Sequence, residues 1–280
     1  VYDAQRWQAL AKVREREAGL MRSYAGGKGC LMRFLQEALD DPNPSDCGRC
    51  SVCTGSLPAP GARPGAERIE AARKFARGQD VVIEPRKLWP SGGVRGSRKT
   101  RVVEGGGDTS VVRKGRIVGC NEGRALAFAD DPGWTEVLEP LFAKPDGPAP
   151  QPVLDGVVAV LGRWRRTWGD RPVAVVPMPS AQHARLIDSV AQHIARVGKL
   201  PLVDALRVPG SPPPGPDAAS GVKVAALVGA LELRPGVALP AGPLLLVDAR
   251  LCSGWSVTVA GAMLREAGAV AVLPLVVHQL

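Results

Sequence analysis

At 280 residues, 45% of them hydrophobic, and with a mean hydropathy near zero, the chain is long enough to bury more than one core and to form two or three small domains. No apolar run reaches the ~18 residues needed to cross a bilayer, which excludes a helical membrane protein, and no targeting segment is visible. The net charge of +9 is uneven: residues 1–60 carry eight basic and seven acidic side chains, residues 61–124 fifteen and seven, and residues 125–280 thirteen of each. A basic excess concentrated in the middle points to a phosphate backbone as partner, held without sequence preference and released by salt. An ordinary solvated basic face is the alternative.

The chain opens at Val1 on a helical pattern, with Gln8, Leu10, Ala11 and Val13 set among Arg and Glu, and reads as a piece of a longer polypeptide. A second helix is predicted from the spacing of Leu31, Phe34, Leu35, Ala38 and Leu39, broken by Pro42 and Pro44. Around it stand Cys30, Cys47, Cys50 and Cys53, spaced C-x16-C-x2-C-x2-C, which is ligand spacing for one tetrahedral Zn²⁺. Gly48, between two of the thiols, suits the tight turn such a knuckle needs. Four protein ligands leave no open position, so the expected zinc is structural. Two disulfides or four unrelated thiols are the alternative. The lack of a signal peptide and the two lone cysteines Cys120 and Cys252 argue for the metal.

The run from Met21 to Cys53, with Met-Arg-Ser-Tyr-Ala, Cys30, Arg33-Phe34-Leu35 and then Cys47-Gly48-Arg49-Cys50-Ser51-Val52-Cys53, resembles the zinc-binding subdomain of RecQ-type DNA helicases. The rest is similar to the C-terminal half of a bacterial RecQ-like clade that carries a phosphoribosyltransferase-like appendage. The resemblance implies an ATP-dependent helicase translocating 3′ to 5′. Its N-terminal motor, on the same polypeptide, would bind ATP and Mg²⁺. It also implies single-stranded or forked DNA as partner and a bacterial cytoplasmic, nucleoid-associated location. No G-x-x-x-x-G-K-[ST] phosphate loop occurs in these residues.

A linker from Leu57 to Gly65, rich in Pro and Gly, marks a predicted boundary. A basic helix is expected over Ala66 to Arg77, followed by strands at Val81–Ile83, Val102–Val103, Ser110–Val112, Arg116–Val118 and Ala125–Phe128. RecQ helicases usually place a winged helix here. One helix before the strands, where a winged helix needs three, predicts a diverged or substituted version. Arg73, Lys74, Arg77, Arg86, Lys87, Arg95, Arg98, Lys99 and Arg101 are the candidate DNA contacts. The loop from Trp89 to Gly96 either offers Trp89 for base stacking or is anchored by it.

After a helix at 134–142 and a second linker, Pro145 to Pro152, the rhythm becomes α/β. Helices are predicted at Val153–Trp164, Ala181–Val197 and Val257–Ala267, and strands at Pro172–Val176, Leu244–Val247 and Val270–Val277, a mostly parallel sheet covered on both faces. The stretch Val247-Asp248-Ala249-Arg250-Leu251-Cys252-Ser253-Gly254-Trp255-Ser256 resembles a phosphoribosyltransferase signature. The resemblance implies that Asp248 keeps one ribose ligand and that Ser253, Gly254 and Ser256 form a phosphate loop. Ala249 replaces the second acidic residue and Trp255 a small one, which disfavours catalysis. Anion binding at the helix start survives physically. A proline-rich run, Pro209 to Pro216, stands where an active enzyme of that family carries its mobile loop. His183, His193 and His278 share no ligand spacing and read as surface or core-edge residues.

The expected architecture is therefore multidomain α+β and α/β. It comprises a helical tetracysteine zinc module over 1–57, a small basic β-rich domain, winged-helix-like or a substitute, over 66–147, and a phosphoribosyltransferase-like domain over 152–280. The leading functional expectation is the accessory region of a helicase. A phosphoribosyl-binding or -transferring enzyme and a protein-interaction platform are the competing ones.

Overall fold

Helix α1, Ala4–Ala25, buries none of its residues and stops where Gly26 and Gly27 follow, Gly27 taking φ 57°, a conformation glycine adopts without strain. Helix α2, Leu31–Ala38, starts at Cys30, whose sulfur accepts the Arg33 amide at 3.5 Å. One helical turn, α3, Ser51–Thr54, ends on Gly55 at φ 70°. These elements come from a computed structural model of the chain, which describes residues 4–58, 61, 63–91, 94–99, 108–208 and 218–280. The chain forms two units, Val1–Glu70 and Ala71–Leu280. Among the described residues of the first, Cys30 alone is buried. None of its described helices is long and apolar enough to cross a membrane, nor is any in the second unit.

Helix α4, Ala66–Arg77, runs to the predicted bounds. Strands β1, Val81–Ile83, β2, Val94–Lys99, β3, Asp108–Arg113, and β4, Gly123–Phe128, follow, with β2 and β3 forming an antiparallel pair of their own. Next come α5, Thr135–Ala143, α6, Gln151–Trp164, a 3₁₀ turn at Arg165–Thr167, β5, Ala174–Pro177, and α7, Ala184–Gly198. The chain closes with β6, Leu206–Arg207, α8, Ser220–Ala230, β7, Glu232–Leu233, β8, Pro243–Leu251, α9, Trp255–Glu266, and β9, Ala271–Gln279. Arg116–Val118 makes one isolated bridge, Arg116 to Leu88, instead of a strand. Val102, Val103 and the run Pro209 to Pro216 lie outside the described residues.

Five strands make one sheet in the order β1-β4-β9-β8-β5. Only β1 is antiparallel to its neighbour; β4, β9, β8 and β5 are mutually parallel. This corrects the expected separation of 66–147 from 152–280. Both β1 and β4 come from the earlier stretch and pair into the sheet of the later one, so neither a winged helix nor a substitute stands there as a separate domain. The physical reason is visible in β4, where Gly123 to Ala127 are all buried. A strand buried on both faces needs cover on both sides and neighbours along both edges. Gly156 of α6 completes the union: a Cβ there would lie 2.4 Å from the Trp134 ring and 2.7 Å from Leu126, so its bareness lets α6 settle on β4.

Pro243 to Val247 are likewise buried throughout. Helices α6 and α7 pack together and over β4, β5 and β8, while α9 packs over β8 and β9 with α8 beside it. After α7 the chain makes a parallel bridge from Leu202 to Val175, on the side of β5 away from β8, and then returns to form β8 and β9 on the other side. The direction of winding thus reverses between β5 and β8. In open α/β sheets ligands commonly bind at that reversal, beyond the carboxyl ends of the strands.

Candidate metal centre

The sulfurs of Cys30, Cys47, Cys50 and Cys53 all lie within 4.8 Å of one another, with Cys30 and Cys50 3.9 Å apart. A tetrahedron with Zn–S bonds of about 2.3 Å has edges of roughly 3.8 Å, so the set fits one such ion. The cluster is built locally. Gly48 takes φ 67°, which turns the chain so that the Cys47 amide points at Cys30 Sγ (3.2 Å) and the Cys50 amide at Cys47 Sγ (3.3 Å). Arg33 of α2 pairs with Glu37 (3.0 Å) and reaches Asp46 (3.4 Å), and Gln36 Oε1 accepts the Ser45 amide at 3.0 Å, stitching the helix to the loop that carries Cys47. Tyr24 of α1 packs against Phe34 of α2, ring centres 5.8 Å apart.

Backbone N–H groups favour the thiolate at two of the four positions. The amides of Cys47 and Arg33 lower the Cys30 thiol from its ordinary value, and those of Cys53 and Leu31 bring Cys50 down to about 6. Cys53, beside Cys50 and Cys30, is pushed up to about 12. Four sulfurs this close cannot all be anionic without a cation among them. The expected four ligands are therefore brought together, in a geometry able to coordinate a metal. Cys120 stands apart: burial pushes its thiol up to about 12, and it donates to the Val257 carbonyl at 3.3 Å. Cys252 is exposed.

The basic candidates are scattered in role. Arg73 ion-pairs with Glu136. Arg77 donates to the Gly133 carbonyl at 2.7 Å with its guanidinium 4.9 Å from the Trp134 ring centre. Arg86 donates through Nε to the Ser253 carbonyl at 3.0 Å and lies 4.2 Å over Trp255. These three carry internal bonds that sequence alone does not reveal. Lys74 and Lys87 are exposed, Arg95, Arg98 and Lys99 fall on β2, and Arg101 lies outside the described residues. Trp89 is buried, 8% exposed, and stacks on Trp255 with ring centres 6.2 Å apart. It anchors the loop; it is not a free platform for a base.

The loop of the resemblance to phosphoribosyltransferases sits at the carboxyl end of β8. Burial pushes the Asp248 carboxyl up to about 6, against the Ala249 amide that donates to it at 2.7 Å. Gly254 takes φ 73° and begins α9. The Ser253 carbonyl is already engaged by Arg86, and Ser256 lies in the first turn of α9. Two strand positions on, Arg250 shares the Asp248 side of β8 and holds its guanidinium 4.6 Å over Phe142. Phe142 in turn stacks on His278 (5.3 Å) and meets His183 edge-on (5.2 Å). Desolvation first, and Arg250 as well, hold both imidazoles below their usual range. His278 is buried, 8% exposed, deeper than the surface or core-edge place expected of it. Sequence reading passed over this cluster; its one sequence signal is the polar pair Asp248 and Arg250 ending an apolar run.

No family model matches the chain, and neither the curated proteins nor the solved structures contain a match to it.

Proposed function

We propose that the chain is the C-terminal accessory region of a RecQ-like, ATP-dependent 3′ to 5′ DNA helicase. In this reading one structural Zn²⁺ on Cys30, Cys47, Cys50 and Cys53 shapes the first unit, and basic residues of the second grip phosphate backbone. ATP and Mg²⁺ are the business of the motor. The observation that carries it is the convergence of four cysteine sulfurs within 4.8 Å of one another, on residues whose order and spacing resemble those of that helicase subdomain. The basic excess of residues 61–124, with Lys74 and Lys87 exposed, supports the DNA contact. The test is DNA affinity of the zinc-loaded chain over a salt series, on single-stranded and forked substrates, beside the variant R95E/R98E/K99E. A steep salt slope that flattens in the variant, by about 0.7–0.9 per lost phosphate contact, is expected. An absence of binding at low salt with zinc in place would sink the DNA contact.

A second reading is favoured by one observation, the reversal of winding between β5 and β8 with Asp248 beside it. It makes residues 152–280, completed by β1 and β4, a phosphoribosyltransferase-like module that binds a sugar phosphate at Asp248, Ser253, Gly254 and Ser256 without transferring it. Ala249 and Trp255 speak against turnover. Calorimetric titration with ribose 5-phosphate, lost in S253A/S256A, tests it; no heat with the parent chain refutes it.

A further inference from the structure

At the opposite end of the sheet from Asp248, the carboxyl ends of α6 and α7 diverge over β8 and leave a cavity of about 570 Å³, within the ~300–1,000 Å³ typical of small-molecule sites. Its walls are apolar: Leu161 of α6, Ile194 and Val197 of α7, Leu200, Trp168, and Leu245 of β8 at the floor. Arg165, Arg166 and Arg171 also line it, and a shallower extension of about 450 Å³ shares Arg171 and adds Lys199. No acidic side chain lines either part. Arg171 is held in place by its bond to the Gly198 carbonyl at 2.7 Å, whereas Arg165 and Arg166 have no acidic partner among the described residues.

We propose that this cavity binds a small anionic amphiphile, an apolar body carrying one carboxylate or phosphate head. The body fills the space between α6 and α7, where displacement of water from apolar walls drives binding. The head is paired by the guanidiniums at the mouth, which suit carboxylate and phosphate oxygens through two parallel N–H donors. A neutral apolar ligand would use the walls but leave the cations unpaired, and a free anion would use the cations but leave the walls empty. The cavity is built wholly from the second unit and lies at the other end of β8 from the Asp248 loop, so it stands independently of either reading above.

Gly162 makes the test clean. It lines the cavity, and a Cβ on it meets nothing within 4 Å, so Gly162→Phe projects a ring into the space while replacing a glycine inside a helix, a change that favours the helix. The experiment titrates the zinc-loaded chain with 1-anilinonaphthalene-8-sulfonate, followed by fluorescence, and displaces it with laurate and separately with dodecanol. Saturation at one probe per chain is expected, with laurate displacing it at least about tenfold more effectively than dodecanol. G162F should abolish the saturable signal, and R165E/R166E should weaken it about tenfold or more, both with unchanged circular dichroism. Equal competition by the alcohol, or an unchanged titration in G162F, overturns the proposal, as does a parent chain that takes up no probe. Association with phosphatidylglycerol vesicles that G162F does not alter, without displacement by laurate, would point to a membrane surface and overturn it too.

Discussion

Residues 1–70 and 71–280 are held together by different physics. In the second unit every residue from Pro243 to Val247 is buried, and a continuous apolar core joins both sides of the sheet. In the first, Cys30 alone is buried among the described residues, and α1 keeps Trp7 and Met21 55% and 63% exposed. A segment with so little core needs a staple to keep one structure. The comparison sets hydrophobic burial in the second unit against the metal coordination proposed above for the four cysteines of the first, and perturbations aimed at each should dissociate.

The largest effect is expected from the metal. Cys47→Ser, or a strong chelator, should unfold the first unit, since structural zinc supplies roughly 10–16 kcal/mol in small sites. Far-UV dichroism from α1 and α2 should fall. The near-UV signal of the second unit, which holds five of the six tryptophans, should persist. A variant that keeps its full helical signal and binds no zinc would break the contrast from this side. Leu246→Ala, in the middle of β8 at 0% exposure, should cost about 2–5 kcal/mol and lower the melting temperature of the second unit with zinc stoichiometry intact. Loss of zinc in that variant would mean that the two units do not fold separately.

Arg86→Ala should cost about 1–2 kcal/mol, through the lost bond to the Ser253 carbonyl and the lost stacking on Trp255. Its salt-dependent DNA affinity should change little compared with R95E/R98E/K99E, because its guanidinium is already engaged by the Ser253 carbonyl and the Trp255 ring. A salt slope reduced as much as in the triple variant would instead make Arg86 a backbone contact.

The smallest effect concerns pH. Burial raises the folded Asp248 carboxyl from 3.8 to about 6, so between those values the folded chain binds more protons than the unfolded one, and this group's contribution to stability falls as pH rises through that window. Asp248→Asn should remove the fall and stabilise the second unit at pH 8 by on the order of 1 kcal/mol, read from denaturant midpoints at pH 4.5 and 8. A variant less stable than the parent at pH 8 would show that the carboxylate has a compensating partner.

Much of this could be seen in the chain before folding. The clustering of the four cysteines and the turn at Gly48 are legible because their spacing is a short-range code. Helices α4, α6, α7 and α9 and strands β5, β8 and β9 were legible within a few residues, because their apolar periods are local. Helix α8 went unnoticed: in Ser220–Ala230 apolar and small residues run together without a clear period. The first residues of β2, Val94 to Gly96, read as loop because the glycines around them suggest a turn. The membership of β1 and β4 was misassigned for a different reason. A linker rich in proline and glycine resembles a domain boundary, yet the strand before it is buried on both faces and completes a sheet whose other members lie up to about 150 residues later.

The order and spacing of the four cysteines, the succession of helices and strands in the last half, and the concentration of positive charge in the middle are all properties of neighbouring residues. What depends on the tertiary structure is which strands share a sheet, that Arg73, Arg77 and Arg86 find partners in Glu136, Trp134 and Trp255, that Arg250, Phe142 and two histidines meet beside Asp248, and that α6 and α7 leave an arginine-lined cavity. Each of these joins residues far apart in the chain. Their meeting follows from how apolar faces fill space, a property that composition and periodicity do not contain.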